Sequence, residues 1–162
     1  MSELIRRTVD VKTFSPVVTA ASAYTAGNCV GTLFELPNAA LDGSGSAMVK
    51  SILATSKGTS AAALVLVLFG KKPAGTFTDK TAFDPAAADV ALITGMCIFG
   101  GTWKNFGTAS ASIDKDLDVM VTAAVDSTTG GSTSLWGVLY TTGTPTFATT
   151  SDLTVKISLE QY

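Results

Sequence analysis

The chain has 162 residues, 46% of them hydrophobic and only 15% charged, with 11 basic against 13 acidic side chains. A net charge of −2 leaves no electrostatic footprint for nucleic acid, and no apolar run approaches the roughly 18 residues that span a bilayer. Such a length suits one domain with a sizeable core, and so few charges suit a neutral Ser, Thr, Ala and Gly surface that is covered by partners.

Residues 1–7, which end in Arg6 and Arg7, lack the order of basic, apolar and small segments of a secretory signal. They read as an N-terminal arm before a domain at 8–162, and the mature protein is expected to begin at Met1, made in a cytoplasm. Residues 7–13 alternate, which predicts an opening strand with Val9 and Val11 inward, ended before Pro16. A second extended piece is expected at 17–24 and a better strand at 29–36, stopped by Pro37 and a turn-rich loop. Residues 48–56 form a mixed strand. Residues 63–69 are apolar throughout and rich in branched side chains, which predicts a central strand covered on both faces.

Residues 76–84 read as a loop. Asp84-Pro85 ahead of an alanine-rich stretch is the one good helix signal, because Asp can cap free amides and Pro fits the first helical position, so a short helix is predicted near 85–92. Strands follow at 93–99, 117–125 and 134–141. Residues 152–160 close the chain with unbroken alternation: Leu153, Val155, Ile157 and Leu159 on one side, Asp152, Thr154, Lys156, Ser158 and Glu160 on the wet side. About eight strands with turns between them predict an all-β, single-domain β-sandwich, a jelly roll or related Greek key.

Catalytic chemistry is sparse. The chain has no His, which removes the commonest general base and the usual zinc ligand. Ser51 or Ser56 beside Lys57 forms a formal dyad without a positioned partner, so no enzyme activity is expected. Asp114, Asp116 and Asp118 mimic the start of a calcium loop, but Val119 and Val125 stand where that loop needs Gly and Glu, and no metal or other cofactor is expected. Neither Gly43-Ser-Gly45 nor Gly70-Lys71-Lys72-Pro73 completes a nucleotide motif, and both read as turns. Cys29 and Cys97 sit in apolar segments as small buried hydrophobes, with a disulfide between them left open. Trp103, Trp136 and Tyr140 could stack on a sugar. Alternatively, Trp136 and Tyr140 on one face and Leu135 and Leu139 on the other are core on both sides of a strand.

Residues 17–28, 62–69, 77–83, 135–140 and 143–154 resemble small virion proteins of tailed bacteriophages, many of which look like head decoration, or cement, proteins. The resemblance covers most of the chain and carries no catalytic signature. It implies a β-sandwich or barrel on the outer surface of the phage head, bound to the major capsid protein as a homotrimer without nucleic acid or membrane, and stabilising the shell. A carbohydrate- or receptor-recognition module of a fibre or head appendage is the rival. Arg6 and Arg7 are the candidate capsid clamp, since a guanidinium grips carboxylates or carbonyls in two-pronged fashion.

Overall fold

The computed structural model describes residues 8–40, 45–58, 62–124 and 133–162. Its elements are β1 (Thr8–Phe14), β2 (Phe34–Leu36), β3 (Ser46–Ser56), β4 (Leu64–Phe69), α1 (Ala87–Val90), β5 (Ile93–Phe99), β6 (Lys104–Asn105), β7 (Ser110–Thr122), β8 (Leu135–Thr141) and β9 (Leu153–Gln161). They form a five-stranded sheet, β1-β9-β3-β7-β6, and a four-stranded sheet, β2-β8-β4-β5.

With the two-residue β6 set aside, the antiparallel pairs are nested. β1 meets β9, β2 meets β8, β3 meets β7 and β4 meets β5, as if the whole chain were one long hairpin. Rolling that hairpin lays β9 beside β3 and β8 beside β4. This is the jelly-roll topology, and it explains why β9 is the cleanest strand of the sequence. Paired on both edges, β9 has one face on the core, where Leu153, Val155, Ile157 and Leu159 are fully buried.

The run in β4 is apolar on both sides because two cores use it. Leu64, Leu66 and Leu68 enter the core between the sheets. Val65, Val67 and Phe69 face a second, smaller core on the far side of the four-stranded sheet, where Phe77, Phe83 and Leu92 from the long β4–β5 connection pack over them. Cys97 lies in the first core and Cys29 in the second, so the two thiols are free and on opposite faces of one sheet. Burial raises both thiols to about 11, with Asp79 adding to the rise at Cys29. Neither cysteine should react with a thiol reagent in the native protein, and both should react in urea; rapid native labelling would count against this packing.

Several expectations change. β1 is in place, but Val9 and Val11 face out, 67% and 56% exposed. The register sets Asp10, Lys12 and Phe14 against Leu159, Ile157 and Val155 instead. A strand has only two faces, and burying Phe14, whose ring stacks on Phe34 at 3.8 Å, outweighs burying two valines at a sheet margin. The charges this turns inward neutralise each other, Lys12 Nζ lying 2.5 Å from Asp10.

Residues 17–24 form no strand and pair instead with the β8–β9 connection, by bridges from Ala20 to Phe147 and Ala23 to Thr146 and by the Val18 and Tyr24 amides donating to the Thr150 and Pro145 carbonyls. In the 29–36 segment, Gly31 adopts φ +79° against Pro16, which leaves only Phe34–Leu36 as strand. The helix is a single turn without a side-chain cap, and Ala86, not Asp84, holds the N-cap position. The acidic residue that matters there is Asp89, buried, whose carboxylate accepts the Ala74 and Gly75 amides at 2.8 and 3.0 Å and so ties the turn to the connection it closes. β7 starts seven residues before Leu117. The Asp116 and Asp118 backbones take positive φ, 54° and 46°, where the β3 register breaks at Lys50, so the expected loop is a bulge within a strand.

Candidate interaction surfaces

The two sheets differ in what covers their outer faces. The four-stranded sheet carries its second core. Over the outer face of the five-stranded sheet, no element packs among the described residues. Its central rows follow from register: Lys156 of β9, Leu53 of β3 and Ile113 of β7 lie side by side, as do Glu160, Met48 and Met120. Ile113 and Met120 are about half exposed.

Phe106, 69% exposed, borders this face. It follows β6 in a tight turn in which Gly107 takes φ +77° and the Phe106 amide donates to the Ala109 carbonyl at 2.7 Å. That geometry holds Phe106 beside Ile113 and Leu53, and the three line a shallow groove of about 250 Å³ with Thr102, Lys104 and Ala111. It is a mostly apolar groove, and Lys104 is the one cation among the residues lining it.

A wider cleft of about 580 Å³ opens at one end of the sandwich between Ala21, Lys57, Gly58, Thr108 and Phe147. Behind it sits Asp152, which the alternation placed on the wet face and which is 1% exposed. It precedes β9 and turns in, accepting the Ser56 hydroxyl at 2.5 Å and the amides of Gly58 and Ala148 at 3.1 and 2.6 Å. Burial alone would raise its pKa. The Ser56 hydroxyl and the amides of Ala148, Gly58 and Lys57 together outweigh burial and hold it below the ordinary carboxylate value. The formal dyad is thereby taken apart: Ser56 is committed to Asp152, the Lys57 ammonium donates to Ser151 Oγ at 3.0 Å, and Ser51 lies on the open sheet face opposite Lys115.

The acidic triplet does not converge. Asp114 accepts the Gly100 amide at 2.8 Å, while Asp118 pairs with Lys50. No group of three His, Cys, Asp or Glu side chains that could hold a metal occurs among the described residues. Trp103, Trp136 and Tyr140 are each partly buried against one of the two cores. Tyr140 stacks on Phe83 at 5.0 Å, Trp103 packs against the main core and donates Nε1–H to the Ala62 carbonyl at 3.2 Å, and Trp136 packs on the second core with the Lys72 ammonium 5.0 Å above its ring.

One further carboxylate organises the loops. Asp79 accepts the Thr19 amide and hydroxyl, the Tyr24 hydroxyl and the Gly31 amide at 2.6–2.8 Å, which ties the loop after β1 to the β4–β5 connection. Burial first, and the Asp79 carboxylate after it, push the Tyr24 phenol well above its ordinary range. Sequence reasoning found neither Asp79 nor Phe106. The Asn-Phe-Gly turn at 105–107 was the available signal for Phe106, and Asp79 had none because its partners lie tens of residues away. Arg6 and Arg7 lie outside the described residues.

No family model and no curated protein matches the chain. Among solved structures, one of desmodium yellow mottle tymovirus is similar to it at 18% identity, covering 96% of this chain and 81% of that one, with a TM-score of 0.27. So loose a superposition carries nothing about function, and the fold assignment stands on the nested strand order.

Proposed function

We propose that this protein is a structural component of a virus particle, a tailed-phage head decoration protein that binds the outer surface of the assembled shell and stabilises it without catalysis. The observation that carries the reading is the open outer face of the five-stranded sheet, with the Leu53, Phe106 and Ile113 groove on it. The apolar groove buries against a protein lattice at low desolvation cost, while Lys156 and Glu160 of the same face pair with charges of the partner. Jelly rolls serve both capsids and lectins, so topology alone does not choose between decoration and recognition. Trp103 packs against the main core and Trp136 and Tyr140 against the second, so the three aromatic residues on which a sugar-binding reading leaned do not form one platform.

A ligand that binds only the assembled lattice favours that lattice by mass action, and several weak contacts reinforce one another through effective concentration. Arg6 and Arg7 belong to this reading as a second contact, an arm that grips carboxylates or carbonyls of the major capsid protein.

Incubation with purified heads of the parent particle tests both contacts. Saturable binding at a fixed copy number is expected, with Ile113→Glu weakening it about tenfold or more by forcing a charge into the apolar contact. Arg6→Ala with Arg7→Ala should weaken it further while leaving the fold unchanged. Binding to a glycan array without binding to heads would select the recognition module instead. Undiminished binding by Ile113→Glu would remove the groove from the contact.

A further inference from the structure

The sheet edges are not equally protected. An unpaired strand edge offers a row of N–H and C=O groups to any other chain, and folded proteins shorten, cover or bend such edges. β2 has three residues and β6 two, too few to template a partner. β5 runs close to β7, and the junction is stitched by the Thr122 amide donating to Thr94 Oγ1 at 3.0 Å and the Ala124 amide to the Gly70 carbonyl at 2.8 Å. β1 has none of these protections. It is seven residues long, its register with β9 runs unbroken from Thr8 to Phe14, and its other side faces no strand among the described residues.

We propose that β1 pairs antiparallel with β1 of a second copy about a two-fold axis at Val11, which joins the two five-stranded sheets into one. The strand is complementary to itself in that register alone. Val11 meets the partner's Val11, Val9 meets the partner's Thr13, and Thr8 meets the partner's Phe14, so all seven residues are paired. On the inner face Asp10 meets the partner's Lys12, and Lys12 meets the partner's Asp10. The intramolecular pair at 2.5 Å thus becomes a cluster of four alternating charges.

A two-fold pair keeps each side chain on its own face of the joined sheet, so competing registers slide by two residues. Moving the axis to Asp10 sets Asp10 against its own copy, and moving it to Lys12 does the same for Lys12. Like charges directly opposite destabilise a ladder. The inward charges therefore do more than blunt the edge: they reject the slipped registers and accept the centred one. Main-chain hydrogen bonds supply affinity and the charges supply register, as in other strand additions, and the contact is isologous as a closed dimer requires. The pairing does not depend on what a particle surface offers.

Sedimentation of the full chain at micromolar concentration tests it. The expected species has twice the 16.6 kDa chain mass. Val11→Lys, which sets two ammonium groups across the axis, should sediment as a monomer with unchanged far-UV circular dichroism and melting, since Val11 is exposed in one copy. Asp10→Lys should weaken the dimer about tenfold or more, and Asp10→Lys combined with Lys12→Asp should restore it. A monomeric parent chain overturns the proposal, as does three times the chain mass, the homotrimer that the resemblance implies. So does a dimer that Val11→Lys leaves intact, or a double reversal no tighter than Asp10→Lys alone.

Discussion

Asp152→Ala is expected to cost about 2–4 kcal/mol of folding stability, because it removes the acceptor of the buried Ser56 hydroxyl and of two part-buried amides, and a buried donor left without its acceptor costs about 1–3 kcal/mol. The Ser56 hydroxyl and the Gly58 and Ala148 amides all converge on this carboxylate, itself 1% exposed, and of the three the Gly58 amide has a second acceptor in Ser56 Oγ at 3.1 Å. The loss falls on the turn that delivers the chain into β9, the strand that pairs with both β1 and β3. The same carboxylate gives the stability a pH dependence of fixed sign. Its native pKa lies below the ordinary value of 3.8, so its contribution is complete above that value. It is lost as the pH falls through the depressed native pKa. Urea unfolding across acid pH checks this. The parent chain should lose stability below about pH 4, and Asp152→Asn, already weaker at neutral pH, should show a shallower acid limb. An Asp152→Ala protein as stable as the parent would mean that Ser56 and the two amides find other acceptors.

The misplacement of Asp152 shows where periodicity stops being informative. Within β9, every second residue is buried because pairing on both edges holds a constant register, and alternation reads that directly. One residue outside the strand, the backbone turns, and a carboxylate that continues the polar pattern in the sequence reaches back to the end of β3. The misreading of β1 has a different origin. Both of its parities contain apolar residues, Val9 and Val11 on one side and Phe14 on the other. The choice was made by Phe34, twenty residues onward, whose ring takes Phe14. Local pattern could place the strand but not its faces.

The open surface was illegible for a related reason. Leu53, Phe106 and Ile113 come from three elements with no common spacing, and they meet only because β3, β6 and β7 are neighbours in one sheet. By contrast, β4 was legible in full, since a run with no polar position requires cover on both faces. The second core supplies that cover with Phe77 and Phe83, residues that look like loop in the sequence because they belong to no strand. Their rings run in a stack from Phe69 through Phe77 and Phe83 to Tyr140, with centroids 5.0–5.9 Å apart. Tyr140, one of the three aromatic residues of the candidate sugar platform, is thereby engaged in holding the long connection down.

Gly70→Val should be the most damaging of the glycine substitutions, by roughly 2–4 kcal/mol, because it wedges open the place where the two sheets are joined. Gly70 ends β4. Its amide donates to the Leu92 carbonyl at 2.9 Å and its carbonyl accepts the Ala124 amide at 2.8 Å, so it binds the four-stranded sheet both to its own β4–β5 connection and to the end of β7. A Cβ at this position would stand 2.5 Å from the Thr122 carbonyl oxygen and 2.8 Å from the Thr94 methyl group. The first of these is backbone within a ladder and cannot rotate away, so relief requires β7 to move off β5. That movement breaks the Ala124 bond and lengthens the Thr122 to Thr94 contact that closes this margin. Gly101→Ala is the matched control, since a Cβ there meets nothing within 4 Å, and it should change stability by no more than about 0.5 kcal/mol. Urea midpoints of the two variants decide the matter. Equal midpoints would mean that the β5–β7 margin yields freely and that the sandwich is not closed along this side.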